Sequence, residues 1–340
     1  MATLRKTLEI DTSPHISSGA SVDSIMRNVV FALLPVCISA VYVFGLTALV
    51  TLVVATLTCL LTEQLLGRRR GAPSTLGDWS VAVTGVLYGL TLPPGLPLWM
   101  VVLGGVAGVG VGKVLFGGLG YNAFNPALVG RAFLAAAFPV SMTTWYPALG
   151  SQRFVEIPSS MLALPFATPV YDAISGATPL AAMKFDGDVA ATADLVMGLT
   201  SGSTGETSGL LILLGGAYLV LRKMMNWRIP IAIFAAVYAL SGVMHLVDPG
   251  VYPSPMFMLF AGGLMLGAVF MATDMVASPM TSLGCALYGV LIGALVVVIR
   301  LWGGMPEGVM YAILLANAVS PHIDNLVRPR VYGTGERGAS

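Results

Sequence analysis

The chain has 340 residues, 56% of them apolar and 10% charged, with a mean hydropathy of +0.85 and a formal net charge of +1. Soluble domains carry roughly 25% charged residues, so an ordinary soluble protein is excluded. No basic, aromatic-interleaved patch of the kind that binds nucleic acid is present, and the expected class is an all-α polytopic membrane protein.

Residues 1–26 are polar and hold no apolar signal-peptide core followed by a small-residue cleavage site. They are expected to form a cytoplasmic N-terminal segment, with the first apolar run retained as a helix. Taking about 20 residues as one membrane span, apolar segments fall near 28–45, 48–66, 79–92, 97–115, 126–142, 208–222, 229–247, 256–272, 283–300 and 307–320. The predicted organisation is about ten transmembrane helices in two halves, 27–142 and 208–322, separated by a polar loop at 143–207 and followed by a cytoplasmic tail at 323–340. Several spans are short or interrupted by Gly and Pro, as at "LTLPPGLP" (90–97) and "NAFNPALVG" (122–130). Broken helices at membrane depth are tolerated where protein or a water-filled cavity covers the freed backbone groups.

Lysine and arginine set the orientation. With a cytoplasmic N-terminus, fourteen of the seventeen fall on inside segments and only Arg153, Lys184 and Arg300 outside. Arg131 and Arg300 lie within spans and are assigned by the nearer end. Both termini are then cytoplasmic and the acidic 143–207 loop is extracytoplasmic.

Isolated polar groups are weaker signals. Cys37, Cys59 and Cys285 lie in apolar runs and read as packing residues. "GGVAGVGVGKVLFGG" (104–118) imitates a dinucleotide loop, but no strand precedes it, and close helix packing by small residues explains it better. Glu63 and Asp274 near span ends are ion-path candidates by default. Pairing with the Arg68–Arg70 run is the preferred reading for Glu63, while both readings stay open for Asp274. His15, His245 and His322 share no metal-ligand spacing and read as structural or solvated; no metal site is expected.

The extracytoplasmic loop contains "YDAISGATPLAAMK" (171–184). Gly176 and Ala177 leave the Thr178 hydroxyl sterically open to a bulky phosphorus centre, and Asp172 stands where a modifying enzyme or its metal ion would engage. A Ser/Gly/Thr-Pro turn is the bland reading. The pattern Asp-x-x-Ser/Thr-Gly-Ala-Ser/Thr, however, should arise by chance in roughly one such chain per thousand.

The segment resembles the flavinylation motif of the NqrB/RnfD family, the flavin-carrying membrane subunits of sodium-pumping NADH:quinone oxidoreductases and of Rnf complexes. "SPHISSGASVDSIMRNVVFALLP" (13–35) and "GGLGYNAFNPALVGRAF" (117–133) are similar to further segments of that family, and the short polar N-terminus favours its Rnf-type members. The resemblance implies FMN esterified through its phosphate to Thr178 by a dedicated flavin transferase. Asp172, Ser175, Gly176 and Ala177 would serve recognition and local contacts, and a second, noncovalent flavin (riboflavin) is expected from the quinone-reductase side of the family. It further implies a non-autonomous subunit in the bacterial inner membrane that carries electrons within a ferredoxin:NAD oxidoreductase complex translocating Na⁺ or H⁺. Its partners would be the other Rnf subunits, above all the RnfG-like covalent flavoprotein, together with membrane lipid.

A second function class stays open. "PPG…GG…FNPA" (93–127) has a loose counterpart in "DPG…GG…ASPM" (248–280), and repeats with interrupted helices build many transporters. With Asn125-Pro126-Ala127 and the family's similarity to urea-channel-like architecture, the alternative is a passive small-solute channel with no use for Thr178.

Overall fold

In a computed structural model the described residues are 21–69, 76–165, 167, 177–206 and 208–328. Among them the regular structure is entirely helical. Four helices are long and apolar enough to cross a membrane: α1 (Val22–Phe44), α2 (Leu46–Arg69, apolar through Gly67), α10 (Arg228–Val247) and α13 (Ser282–Trp302). Shorter apolar helices fill the intervals: α3 (Ser80–Leu90), α4 (Leu98–Val109, prolonged by a π-helical turn to Val114), α5 (Pro126–Ala137) and α9 (Gly209–Leu221). The remaining helices are α6 (Pro139–Met142), α7 (Pro179–Ala181), α8 (Thr192–Met197), α11 (Pro255–Phe260), α12 (Leu264–Leu266) and α14 (Val309–Leu326). Helix thus covers each of the ten predicted apolar segments, but the fifth breaks at Phe138 and the eighth at Ala261–Gly263.

Local chemistry accounts for these boundaries. Ser21, Asn125, Ser208, Ser254 and Thr281 accept from backbone N–H groups of the first turns of α1, α5, α9, α11 and α13, satisfying donors that have no intrahelical partner. Gly45 ends α1 at φ +71°, and a Cβ there would lie 1.9 Å from the Arg153 carbonyl oxygen. Only glycine fits that corner, where Leu46 N–H donates to the same carbonyl.

Packing repeats between the halves. α2 lies on α3 and α4, and α4 on α5; α10 lies on α11 and α13, and α13 on α14. α1 meets α9 and α5 meets α14, so equivalent members join across the interface. Small residues make the close contacts: a Cβ at Gly108 would come 2.7 Å from Pro126 O, and Cβ atoms at Gly289 and Gly293 would meet Ile229 O and Ile233 O at 2.8 Å. The glycine string of α4 is therefore a packing surface, as expected. Cys59 and Cys285 are buried and Cys37 is half-buried, all three unbridged.

The proposed sequence repeat does not follow this structural one. Pro93-Pro94-Gly95 joins α3 to α4, whereas Asp248-Pro249-Gly250 joins α10 to α11, one connection earlier in helix order. Both are turn sequences, and turn chemistry recurs without common descent.

Candidate functional site beside the Thr178 segment

Thr178 is the N-cap of α7, with Pro179 at the first helical position; its Oγ1 accepts from Ala181 N–H at 3.2 Å. The helix continues as a π-helical turn, Ala182–Asp186, closed by Gly187 at φ +76°. Thr178 is 1% exposed. Its hydroxyl is therefore not sterically open, because capping turns it towards its own helix. Ala177 is exposed, whereas Asp172, Ser175 and Gly176 lie outside the described residues.

Ala177, Ala181 and Phe185 form one side of a cavity of about 470 Å³. Met142 comes from the end of the first half and Trp145 from the start of the connection after it, Tyr311 from α14, and Met305 and Glu307 from the α13–α14 connection. The volume falls in the range of small-molecule sites, which pair an apolar lining with a few convergent polar groups.

Here those polar groups are Ser203, Arg131, Arg300 and Glu307. Arg131 on α5 donates from Nη2 to Glu307 Oε2 at 2.5 Å. Arg300, 1% exposed in the last turns of α13, donates from Nη1 to Met258 O at 2.5 Å and from Nη2 to Ala261 O at 2.7 Å. It thereby caps the C-terminus of α11, where carbonyls lack helical partners. Arg300 Nε and Glu307 Oε1 are buried and have no hydrogen-bond partner among the described residues. Beside this group Glu206 Oε1 accepts from Ser203 Oγ at 2.7 Å. Burial pushes the Glu206 carboxyl up to about 8; Glu307 adds to the shift, and Arg131 and the Ser203 hydrogen bonds oppose it.

Two contacts seat the Thr178 segment on the second half. Leu180, buried, reaches Gly262, where a Cβ would lie 2.6 Å from Leu180 Cδ1 and where φ is +65°. Lys184 Nζ donates to the carbonyls of Arg300 at 2.9 Å, Gly303 at 2.5 Å and Met305 at 3.3 Å.

The carboxylates singled out as ion-path candidates lie elsewhere. Glu63 pairs with Lys113, whose Nζ donates at 3.0 and 2.8 Å to its two oxygens and at 2.7 Å to Ser80 Oγ. The ion pair expected of Glu63 is thus made with Lys113, since the π-helical end of α4 brings that ammonium inward; the side chains of Arg68–Arg70 lie outside the described residues. Asp274 accepts from Val276 N–H at 3.1 Å and from Asn122 Nδ2 at 3.3 Å, and burial raises its carboxyl above the usual range. Lys113 and Asp274 line a second cavity of about 100 Å³. Asn125, read as a pore signature, caps α5 through Oδ1 and donates from Nδ2 to Met271 O at 3.2 Å. His245 contacts the Tyr252 carbonyl at 2.7 Å and His322 is exposed. Among the described residues no group of His, Cys, Asp and Glu is arranged to hold a metal ion.

Arg131, Arg300, Glu206, Glu307 and Lys184 were not expected at the site. The available signal was arginine inside an apolar run, which marks function as well as topology. Their convergence needs the fold.

The family profile described as "NQR2, RnfD, RnfE family" matches residues 9–333. The chain belongs to this family. It is 38% identical over 335 residues to the D subunit of the proton-translocating ferredoxin:NAD(+) oxidoreductase complex of Clostridium ljungdahlii, covering 96% of each chain. It is 39% identical over 336 residues to the D subunit of the Na(+)-translocating ferredoxin:NAD(+) oxidoreductase complex of Acetobacterium woodii, covering 96% of this chain and 95% of that one. With the D subunit of the ion-translocating oxidoreductase complex of Stutzerimonas stutzeri it shares 40% identity over 338 residues, 94% of each. Membership of the NQR2, RnfD, RnfE family accords with the multi-pass apolar architecture.

Proposed function

We propose that this chain is the electron-carrying D subunit of an Rnf-type complex, which couples electron transfer between ferredoxin and NAD to translocation of Na⁺ or H⁺, and that it bears FMN esterified to Thr178. Near-full-length similarity to the D subunits of such complexes carries the reading. Its partners are then the other subunits, with the RnfG-like flavoprotein as electron donor, and a flavin transferase for maturation.

The proposed topology has ten spans in two five-helix halves in the bacterial inner membrane, urea-channel-like in plan, with both termini cytoplasmic and 143–207 outside. Because five is odd, the second half would enter from the opposite face, the arrangement of inverted-repeat transporters. Arg131 counts with the outer groups in this scheme, since its guanidinium pairs with Glu307, and the cation balance becomes thirteen against four.

The cavity residues fit the ring of FMN. Trp145, Phe185 and Tyr311 offer aromatic surface, and the unpartnered Arg300 Nε and Glu307 Oε1 belong to its lining residues. A buried polar atom without a partner costs about 1–3 kcal/mol, and both atoms lie behind the cavity surface, so a ligand edge would meet them only after a side-chain shift. FMN supplies one- and two-electron transfer when attached. The chain holds the attachment point beside the cavity, anchors its segment through Leu180 and Lys184, and lines the cavity with Arg131, Arg300 and Glu307, while Glu206 accepts from the lining Ser203. The second cavity, about 100 Å³, is below the usual size of ligand sites, and no residue is assigned to a second flavin. The tripeptide that suggested a pore is occupied in capping and tethering α5, and no observation favours a passive channel.

The test is ultraviolet fluorescence of the denatured subunit in a gel, with mass spectrometry of the Thr178 peptide, from cells that possess a flavin transferase. FMN less one water on Thr178 is expected; a dark band with an unmodified peptide would sink the proposal.

A further inference from the structure

Lys184 lies six residues after the proposed attachment point and is placed unusually for a loop lysine. An ammonium has three N–H donors, and all three have acceptors: the carbonyls of Arg300, Gly303 and Met305. These carbonyls belong to the last turn of α13 and the connection that follows it, where backbone acceptors lack helical partners and the helix dipole favours a cation. Arg300, whose carbonyl receives Lys184, uses its own side chain to hold the C-terminus of α11. Leu180, one turn earlier, packs on Gly262 in the gap after that same helix. Three segments distant in sequence therefore meet at one polar and one apolar anchor, and the α13–α14 connection held by Lys184 supplies Gly304, Met305 and Glu307 to the cavity lining.

We infer that Lys184 is a positioning residue that docks the Thr178 segment on the second half, so that the segment carries its cargo at a fixed place on the cavity wall and not as a swinging arm. The inference rests on the attachment of FMN to Thr178 for its functional meaning, but the docking itself concerns this chain alone. Freedom at Thr178 would spread the electron-transfer distance over many positions. Docking restricts it to one and ties the cavity wall to the segment that uses it.

The experiment compares the purified full-length subunit with Lys184→Met and Lys184→Arg. Time-resolved fluorescence anisotropy and iodide quenching of the covalent flavin are the first readouts, with modification measured by mass spectrometry. Wild type is expected to show high residual anisotropy and weak quenching. Lys184→Met should keep the modification yet lose about half of the residual anisotropy and gain several-fold in quenching, and Lys184→Arg should recover most of both. A nitroxide on Ala177→Cys, an exposed position, reports the same mobility without flavin: its spectrum is immobilised when Lys184 is present and sharpens in the Lys184→Met background. Should Lys184→Met not be recovered as a monodisperse protein, Leu180→Ala removes the neighbouring anchor and should mobilise the label in the same direction. A wild-type segment that is already mobile, or a modified Lys184→Met protein with wild-type anisotropy, quenching and label line shape, overturns the inference. A wild type without flavin whose nitroxide is still released by Lys184→Met would overturn the attachment and leave the docking standing.

Discussion

Arg131 on α5 and Glu307 before α14 are 176 residues apart in sequence and form an ion pair at 2.5 Å on the wall of the cavity that Ala177 also lines. The pair joins the two halves directly, with side chains only 12% and 20% accessible. Removing one partner strands a charge in a poorly solvated place, which costs more than removing both. Arg131→Met and Glu307→Gln should each lower stability by up to about 3 kcal/mol, and the double variant should lose less than their sum. Thermal unfolding of the purified subunit measures this; strict additivity would show that the pair contributes nothing.

Thr178→Ala should abolish covalent flavin and the electron transfer that depends on it, while insertion and assembly persist. The structural loss is one N-cap, worth roughly 1 kcal/mol. Thr178→Ser keeps the cap and a hydroxyl and should retain a fluorescent band. Electron transfer at wild-type rate in a Thr178→Ala complex would end the proposed mechanism.

Glu63 and Lys113 form a buried pair with side-chain accessibilities of 6% and 3%. Lys113→Met removes the buried ammonium that faces the carboxylate and should cost about 3–5 kcal/mol, with Glu63→Gln in the same background restoring part of it. The measurement is the shift in melting temperature of the two variants. A double variant no better than Lys113→Met would mean that Glu63 does more than balance Lys113.

Glu206 gives the charged cluster beside the cavity a pH dependence. Its folded-state value of about 8 lies above the ordinary 4.5, so between those values the folded protein holds a proton that the unfolded chain has released. Stability is then fully present below about 4.5 and falls as pH rises towards 8. Glu206→Gln, neutral throughout, should flatten the decline of melting temperature across that window. An unchanged pH profile in the variant would remove Glu206 as its source.

The α4–α5 contact has no slack at Gly108, where a Cβ would meet the Pro126 carbonyl oxygen at 2.7 Å. Backbone cannot move aside as a side chain can, so Gly108→Ala should cost about 1–3 kcal/mol. Ala in place of Gly67, where a Cβ would meet nothing within 4 Å, is the neutral control, read by the same melting assay.

The helices were legible in the sequence because backbone groups in lipid must bond within their own segment, so an apolar run of sufficient length already implies a helix. Caps such as Asn125 and Thr281 were readable in principle for the same local reason. The motif ending at Thr178 was also visible as a string, and membership of the NQR2, RnfD, RnfE family accords with the resemblance drawn from it. What the string did not disclose is that Thr178 faces its own helix and is buried: that depends on Leu180 finding Gly262 and Lys184 finding three carbonyls at the end of α13. The partners of Glu63 and Arg131 were equally invisible, since residues 50 and 176 positions away supply them. Hydropathy determined that this chain is a helical membrane protein, because burial in lipid is a property of each segment taken singly. The cavity, its charges and its anchored wall were decided by packing between the halves, where small residues let backbones approach and so choose which side chains meet.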